Sequence, residues 1–393
     1  MNRQIWIIII FLFVVMLGIA AVAEWLHNRQ PESSAHSPQS SIAFGGPDWP
    51  IFRGNSAMTG VAAGAFPDKF TLAWKFKTDD AIKSSPVVAD GRVFVGSQDK
   101  KVYAIALADG KPLWNFATKD VIDGSPSVAD GLVFVGSNDS FLYALDAASG
   151  ALKWSFETGD KIIGSVNPIR AADGKRILVF GSYDNNIYAL DAAGAQLWKY
   201  ETGSYVNGAP AVDSGRAVAG GCDARLHIVQ IADGRSPAQI DLGAYVASSA
   251  ALSGGRAWLG NYEGAVFCAD LAAGKILWKQ QPSEAPILSS PAVFDNRIVY
   301  GSDDKNLYCL DASDGKQLWK FAAAGEIQSS PLICGDKVLV GSSDGRIYLL
   351  RLADGTQVWS YEIGSPITAS PAVAANHLLV AAEDGTLYAF IAK

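Results

Sequence analysis

The stretch GSPSVADGLVFVGSNDSFLYALDAASGALKWSF, residues 124–156, decides the fold. Runs of β-branched and aromatic residues, Ser127-Val128, Leu132 to Val135 and Phe141 to Leu145, are cut by Asp130-Gly131, Asn138-Asp139 and Ser149-Gly150, and a last run carries Trp154 and Phe156. Such Asp, Asn and Gly pairs reverse a chain between strands. The stretch therefore reads as four short antiparallel strands, A to D in chain order. The same grammar returns about every 40 residues, a period that suits four strands better than a helical hairpin. Tryptophan marks the beat at Trp74, Trp114, Trp154, Trp198, Trp278, Trp319 and Trp359, and Ala238 stands on one beat without it.

Proline places strand A. Pro86, Pro126, Pro168, Pro210, Pro291, Pro331 and Pro371 open it, and a residue without an N–H belongs at a sheet edge. Its neighbours are small, as in Ser84-Ser85 and Ser289-Ser290, which suits the crowded axis of a radial array. Strand A is thus the inner edge and D the outer one. The D-strand tryptophans then fill the gaps between wedge-shaped sheets. Burying an indole of about 200 Å² at about 25 cal/mol per Å² contributes on the order of 5 kcal/mol before entropy. Strands A to C occur eight times, the last ending at Leu387 to Ile391 without a D strand, whereas the first D strand, Leu72 to Lys77, has no A to C before it. The two ends complete one blade. The expectation is an all-β, eight-bladed β-propeller of four-stranded antiparallel blades, closed through its termini.

The N-terminus differs in kind. Arg3 precedes an uncharged run from Ile5 to Ala23, which at about 1.5 Å per residue spans roughly 28 Å, close to the hydrocarbon thickness. Ala21-Val22-Ala23 also resembles a cleavage site, so the run is either a retained transmembrane anchor, the favoured reading, or a signal peptide. Both export the body to the periplasm or another extracytoplasmic space, with the inner membrane as the expected anchorage. Residues 1–27 form this segment, 28–46 a spacer rich in Ser, Pro and Gly, and 47–393 the propeller. The net charge of −7, with no long basic run, argues against nucleic acid as a partner. A monomer is expected.

The repeat ending from Ala144 through Asp146 and Gly150 to Trp154 follows A-x-D-x-x-x-G-x-x-x-W and resembles the tryptophan-docking motif of the PQQ-like (pyrroloquinoline-quinone-type) propeller repeat. Cys309 to Trp319 fits with Cys for the first Ala, while Ala106, Gln230 and Arg351 replace the Asp elsewhere. The lead-in from Asp48 to Asn55, followed by Thr59-Gly60, resembles the segment that precedes many such propellers. The resemblance implies one of two roles. Quinoprotein dehydrogenases of this superfamily hold PQQ and calcium beside an Asp base and two adjacent cysteines; this chain is shorter and has no adjacent Cys pair. The BamB-like branch is a non-enzymatic scaffold that docks partner proteins in the cell envelope. Its members are usually lipoproteins, whereas no Cys precedes Cys222 here.

Chemistry is otherwise scarce. Cys268 and Cys309 take the slot of Ala104 and Ala144, and Cys334 that of Ala89, positions too far apart between blades for disulfides. Cys222, in a B–C turn, is the one candidate for exposure. His227 takes the slot of Tyr103 and Tyr143 and reads as a packed aromatic substitute; the four histidines have no zinc-like spacing. A carboxylate recurs in every B–C turn, at Asp99, Asp139, Asp184, Asp223, Glu263, Asp304, Asp344 and Asp384. Service to the turn backbone is the first reading, calcium or partner contacts the second. No catalytic residue and no metal site is assigned.

The candidate surface lies where strand D leads into strand A. There the residue after a recurrent Ile or Val changes from copy to copy: Lys83, Asp123, Ile163, Asn207, Ala247, Leu288, Gln328 and Thr368. These positions are expected either to ring the mouth of a binding funnel or to reflect drift in exposed turns. Tyr245 and Tyr262 lie near the same face, and the fifth blade is read as lacking both its tryptophan (Ala238) and its proline (Ala250). The leading expectation is an envelope scaffold engaging a protein or polysaccharide through this face, without a cofactor. A PQQ-dependent oxidoreductase with an atypical site is the alternative.

Overall fold

A computed structural model describes residues 43–171 and 173–393. The expected anchor and most of the spacer lie outside the described residues, among which no helix is long and apolar enough to cross a membrane. The described chain is an all-β propeller of eight four-stranded antiparallel blades, each paired A to B to C to D, with the short strand Val61–Ala62 added in parallel to the inner strand Leu332–Cys334 of blade 7. In blade 2 the strands are Ser127–Ala129, Leu132–Gly136, Phe141–Asp146 and Leu152–Glu157, in register through Val128↔Val133, Val135↔Tyr143 and Trp154↔Ala144. In blade 2 the A–B hairpin turns on two residues with positive φ, Asp130 (50°) and Gly131 (76°), the geometry that matches the twist of flanking strands.

The ring closes as its repeat count requires. Phe70–Lys77 pairs antiparallel with Thr386–Ala392 and becomes the outer strand of blade 8. The A strands of blades 8, 1 and 2 touch side by side at the axis. The apolar core lies mainly between blades: Phe94 and Val102 of blade 1 pack in one cluster with Val133 and Tyr143 of blade 2.

Each tryptophan spans such a junction. Trp74, Trp198 and Trp319 donate Nε1–H to the carbonyls of Leu107, Ile231 and Leu352 in the following blade, at 2.8, 2.8 and 2.9 Å. The motif glycine is the seat. Gly150 holds φ at +73°, and a Cβ there would come within 2.7 Å of the Trp114 indole. Trp359 faces blade 8, which has no C–D turn because its outer strand arrives from the N-terminus. It packs instead on Phe70 and Phe390, at ring distances of 5.3 and 6.2 Å.

Two expectations are corrected. Ala238 belongs to the outer strand of blade 4, Ala238–Asp241, so the missing tryptophan and Ala250 fall on adjacent blades rather than on the fifth alone. Pro237, without an N–H, immediately precedes that outer strand, which has four residues against six in blade 3. The spacer also ends sooner than expected. Phe44 is fully buried and its N–H donates to Asn376 Oδ1 at 2.9 Å, so Ala43 to Gly46 belong with the packed body.

The small residues at the axis do more than save space. The backbone N–H of Ser85 donates to Ser125 Oγ, that of Ser249 to Ser290, Ser290 to Ser330, Ser330 to Ser370 and Ser370 back to Ser85, all at 2.9–3.1 Å. The belt lapses where Ala209 takes the serine slot of blade 4 and offers no hydroxyl, although its own N–H donates to Ser249 Oγ at 2.9 Å; nearby, Asn167 Nδ2 donates to the carbonyls of Ser56 and Pro210.

Candidate functional site

One end of the axis is sealed by the chain itself. The segment from Phe44 to Ala62 winds around the inner strands, and its carbonyls accept N–H groups in blade order: Trp49 from Val88, Pro50 from Val128, Ser56 from Val212, Ala57 from Leu252, Thr59 from Val293 and Gly60 from Ile333. At its centre Arg53, 2% exposed, donates to the carbonyls of Pro331 (2.5 Å) and Pro291 (2.9 Å). Burial lowers its pKa to about 9, which leaves the guanidinium charged at neutral pH. Opening prolines leave carbonyls free at the inner edge, and the arginine satisfies two of them. This strap is the element of the axis that repeat reading missed.

The other end holds a cavity of about 180 Å³. It is lined by Lys83, Asp123, Ile163, Asn207, Ala247, Leu288, Gln328 and Thr368, with serines of the belt below and Phe52 reaching in from the strap. All eight varied positions thus face one space. Each follows a fully or nearly buried Ile or Val, such as Ile82, Val206 or Ile327, which anchors the loop and turns the next side chain to the axis. The B–C turns form a second ring. Asp123 accepts from Gln98 Nε2 (3.0 Å) and Asn138 Nδ2 (2.9 Å), Gln328 donates to Asp303 (3.3 Å), and the Thr368 hydroxyl donates to Glu383 (2.9 Å). Asn207 donates to Cys222 Sγ, and burial raises that thiol's pKa, so it remains a protonated acceptor. Burial likewise pushes the Asp303 carboxyl up. Tyr245 and Tyr262 flank the mouth, 59% and 50% exposed.

The recurrent aspartates are staples. Asp139 accepts the N–H of Phe141 in its own turn (3.1 Å), the N–H of Lys119 in the preceding D–A loop (2.8 Å) and the Tyr143 hydroxyl (2.8 Å). Asp184 does the same with Asn186, Gly159 and Tyr188. Its burial raises the pKa, yet these donors outweigh it and hold the carboxyl below its usual range. In blade 4 the tyrosine's place is filled by His227, whose Nε2 lies 2.9 Å from Asp223; burial lowers the imidazole pKa against that carboxylate. Blade 5 departs from expectation: Asn261, not Glu263, accepts the turn N–H groups of Glu263 and Ala265. Glu263 is left exposed, its side chain free of the turn.

The staples predict an alkaline limit. Burial, then the adjacent carboxylate, raises the phenol pKa of Tyr348 and Tyr388 to about 12, and Tyr103, Tyr143, Tyr188 and Tyr308 shift further in the same direction. A phenol whose folded pKa exceeds its unfolded value of about 10 stabilises fully below that pH, and the contribution is lost as pH rises toward the folded pKa. Tyrosinate absorbance at 295 nm and loss of β-sheet circular dichroism are expected to rise together above about pH 10. Ionisation of these tyrosines near pH 10 in an intact fold would contradict the staple.

A larger groove, about 1300 Å³, opens at the opposite end beside blades 3 and 4, lined by Ile169, Leu197, Val212 and Asp213. Its wall is the blade 3 A–B hairpin, which has five residues between Arg170 and Arg176 where blade 2 has two between Ala129 and Leu132, with Arg176 and Arg170 held on Asp130 of blade 2. Much of its lining, such as Trp198 and Ile231, is repeat framework. Among the described residues no group of three His, Cys, Asp or Glu side chains is placed to hold a metal.

Fold and axis together define an eight-bladed propeller built from PQQ-like repeats, sealed at one end and open at the other. A family profile described as outer membrane protein assembly factor BamB matches residues 67–280 and 262–393, and the chain belongs to that family. BamB from Moraxella catarrhalis is 20% identical, with a TM-score of 0.69 over 83% of this chain and 98% of that one. The quinohemoprotein alcohol dehydrogenase of Comamonas testosteroni is 16% identical, with a TM-score of 0.75 over 88% of this chain and 81% of that one. The computationally designed Ika8 protein is similar too, at 17% identity and a TM-score of 0.71 over 80% and 97%. No curated protein matches the chain.

Proposed function

We propose that the chain is an exported, non-enzymatic envelope scaffold that docks a protein partner on the end of the propeller formed by its D–A loops and B–C turns. One observation carries the reading. In all eight blades the varied D–A position that follows the buried Ile or Val faces a single axial cavity, while the opposite end of the axis is occupied by the chain's own strap. Folding explains the constant residues of these loops and leaves the varied ones for recognition. The family description points the same way.

The residues do not fit the cofactor of the quinoprotein relatives. PQQ is a flat tricarboxylate, and a site for a molecule of that kind typically occupies about 300–1,000 Å³. The cavity of about 180 Å³ offers a single cation, Lys83, with Asp123 on the adjoining loop. Purified protein mixed with PQQ and calcium is expected to show neither a bound chromophore nor a thermal shift; a stoichiometric chromophore would move the chain to the oxidoreductases. Joint alanine substitution of Lys83, Asp123, Asn207 and Gln328 is expected to reduce crosslinked partner recovered from membranes by about tenfold, or about 1.4 kcal/mol. Unchanged recovery would dismiss the mouth as the docking face.

A further inference from the structure

The mouth is uneven around the ring. Over blades 3 to 5 its loops carry Tyr183, Tyr205, Tyr245 and Tyr262, and the last three are close to half exposed, at 46%, 59% and 50%. Tyr183 of a B–C turn and Tyr205 of the next D–A loop stack at 4.8 Å with planes 5° apart. The Tyr262 N–H donates to the Tyr245 carbonyl at 2.8 Å, tying the next such pair together. The rings therefore form a crescent on backbone that is already fixed. Large exposed aromatic groups rimmed by polar residues mark interaction surfaces.

Charge in this sector has one dominant sign. Asp160, Asp241, Glu263 and Glu284 are exposed on the same loops and turns. The cations there are engaged: Arg225 donates to Gln239 Oε1 at 2.6 Å, and the Lys161 ammonium lies 4.4 Å from the Tyr183 ring centroid. Lys83, Lys100, Lys119 and Lys305 stand on loops of other blades. An acidic segment laid across blades 3 to 5 meets repulsion, and a wholly apolar one strips water from carboxylates without replacing it. A cation gains from both features, the negative face of the tyrosine ring and the carboxylates around it. Lys161 on Tyr183 is this contact in miniature.

We infer that the crescent of blades 3 to 5 receives a segment of the partner that bears lysine or arginine side chains. The inference rests on the scaffold reading and adds the chemistry of what is docked. The test uses the full chain and two fluorescein-labelled peptides, one of repeated Lys-Gly-Leu triplets and one with Glu in place of Lys. The basic peptide is expected to bind at least about tenfold more tightly than the acidic one and to weaken as salt shortens the screening length. Joint Tyr205→Ala, Tyr245→Ala and Tyr262→Ala substitution is expected to remove about tenfold of that affinity, and the three Phe substitutions, which keep the ring face, to retain most of it. Equal binding of both peptides, or unchanged binding by the alanine variant, overturns the inference. Membrane crosslinking separates the two readings. Partner recovery that survives the tyrosine-to-alanine variant but not the Lys83, Asp123, Asn207 and Gln328 variant refutes the crescent alone, and no recovery with the unsubstituted chain refutes the scaffold.

Discussion

Trp319→Ala is expected to destabilise the propeller by about 3–5 kcal/mol, read as a lowered midpoint of chemical unfolding. The indole is 7% exposed, packs against Gly355 of the next blade and donates to the Leu352 carbonyl at 2.9 Å. Truncation leaves a void between two sheets and an unpaired buried carbonyl, and a closed ring has little freedom to collapse around it. The junction between blades 4 and 5 supplies the reverse experiment. Ala238 pairs with Ile228 as Trp198 pairs with Ala189, and Gly274 sits over it as Gly234 sits over Trp198. Ala238→Trp restores the indole above a glycine already in place, with the Leu271 carbonyl in the acceptor position. It is expected to stabilise by about 1–2 kcal/mol, well under the gross burial because rotamer entropy and the existing contacts are subtracted. A neutral Trp319→Ala would mean that the indoles do not hold the blades together.

The second large effect is expected at Arg53. Its alanine variant loses two hydrogen bonds from a charged donor, each contributing about 1.5–3 kcal/mol, and leaves two prolyl carbonyls dry at the axis. A loss of about 3–5 kcal/mol follows. Arg53→Lys keeps the charge but lacks the planar fork that reaches both blades, so an intermediate loss is expected. Gly60→Ala is expected to match the alanine variant, because a Cβ there falls 1.9 Å from Arg53 Nη2 on backbone at φ +66°. Proteolytic nicking within residues 43–66 should accelerate in all three variants while the outer strands stay protected. Unchanged stability and nicking in Arg53→Ala would show that the strap is held by its backbone alone.

The repeating part of this architecture is legible without coordinates because each repeat states it again. Proline without an N–H marks the inner edge, tryptophan in all outer strands but one marks the junctions, and an orphan outer strand at one end answers an unfinished blade at the other. The varied D–A positions were also open to reading, since copies of one unit provide their own comparison. The strap was not. It has no period, and its decisive contacts, Arg53 with Pro291 and Pro331, join residues far apart in the chain. The serine belt was legible only in part: crowding accounts for small residues, but the preference for Ser85, Ser125, Ser290, Ser330 and Ser370 over alanine was the signal of a hydrogen bond. Glu263 misled because alignment by position favoured the carboxylate, whereas Asn261 supplies an amide oxygen that caps the same turn.

Site-specific photocrosslinking tests the docking face most directly. Benzoylphenylalanine is placed in turn at Ala247, Gln328 and Thr368 around the mouth, and at Asp90, Asp314 and Asp354 on the turns of the opposite end. Adducts to one partner protein are expected from the first set and none from the second. Adducts chiefly from Asp90, Asp314 and Asp354 would place the partner on the sealed end and contradict the docking proposal.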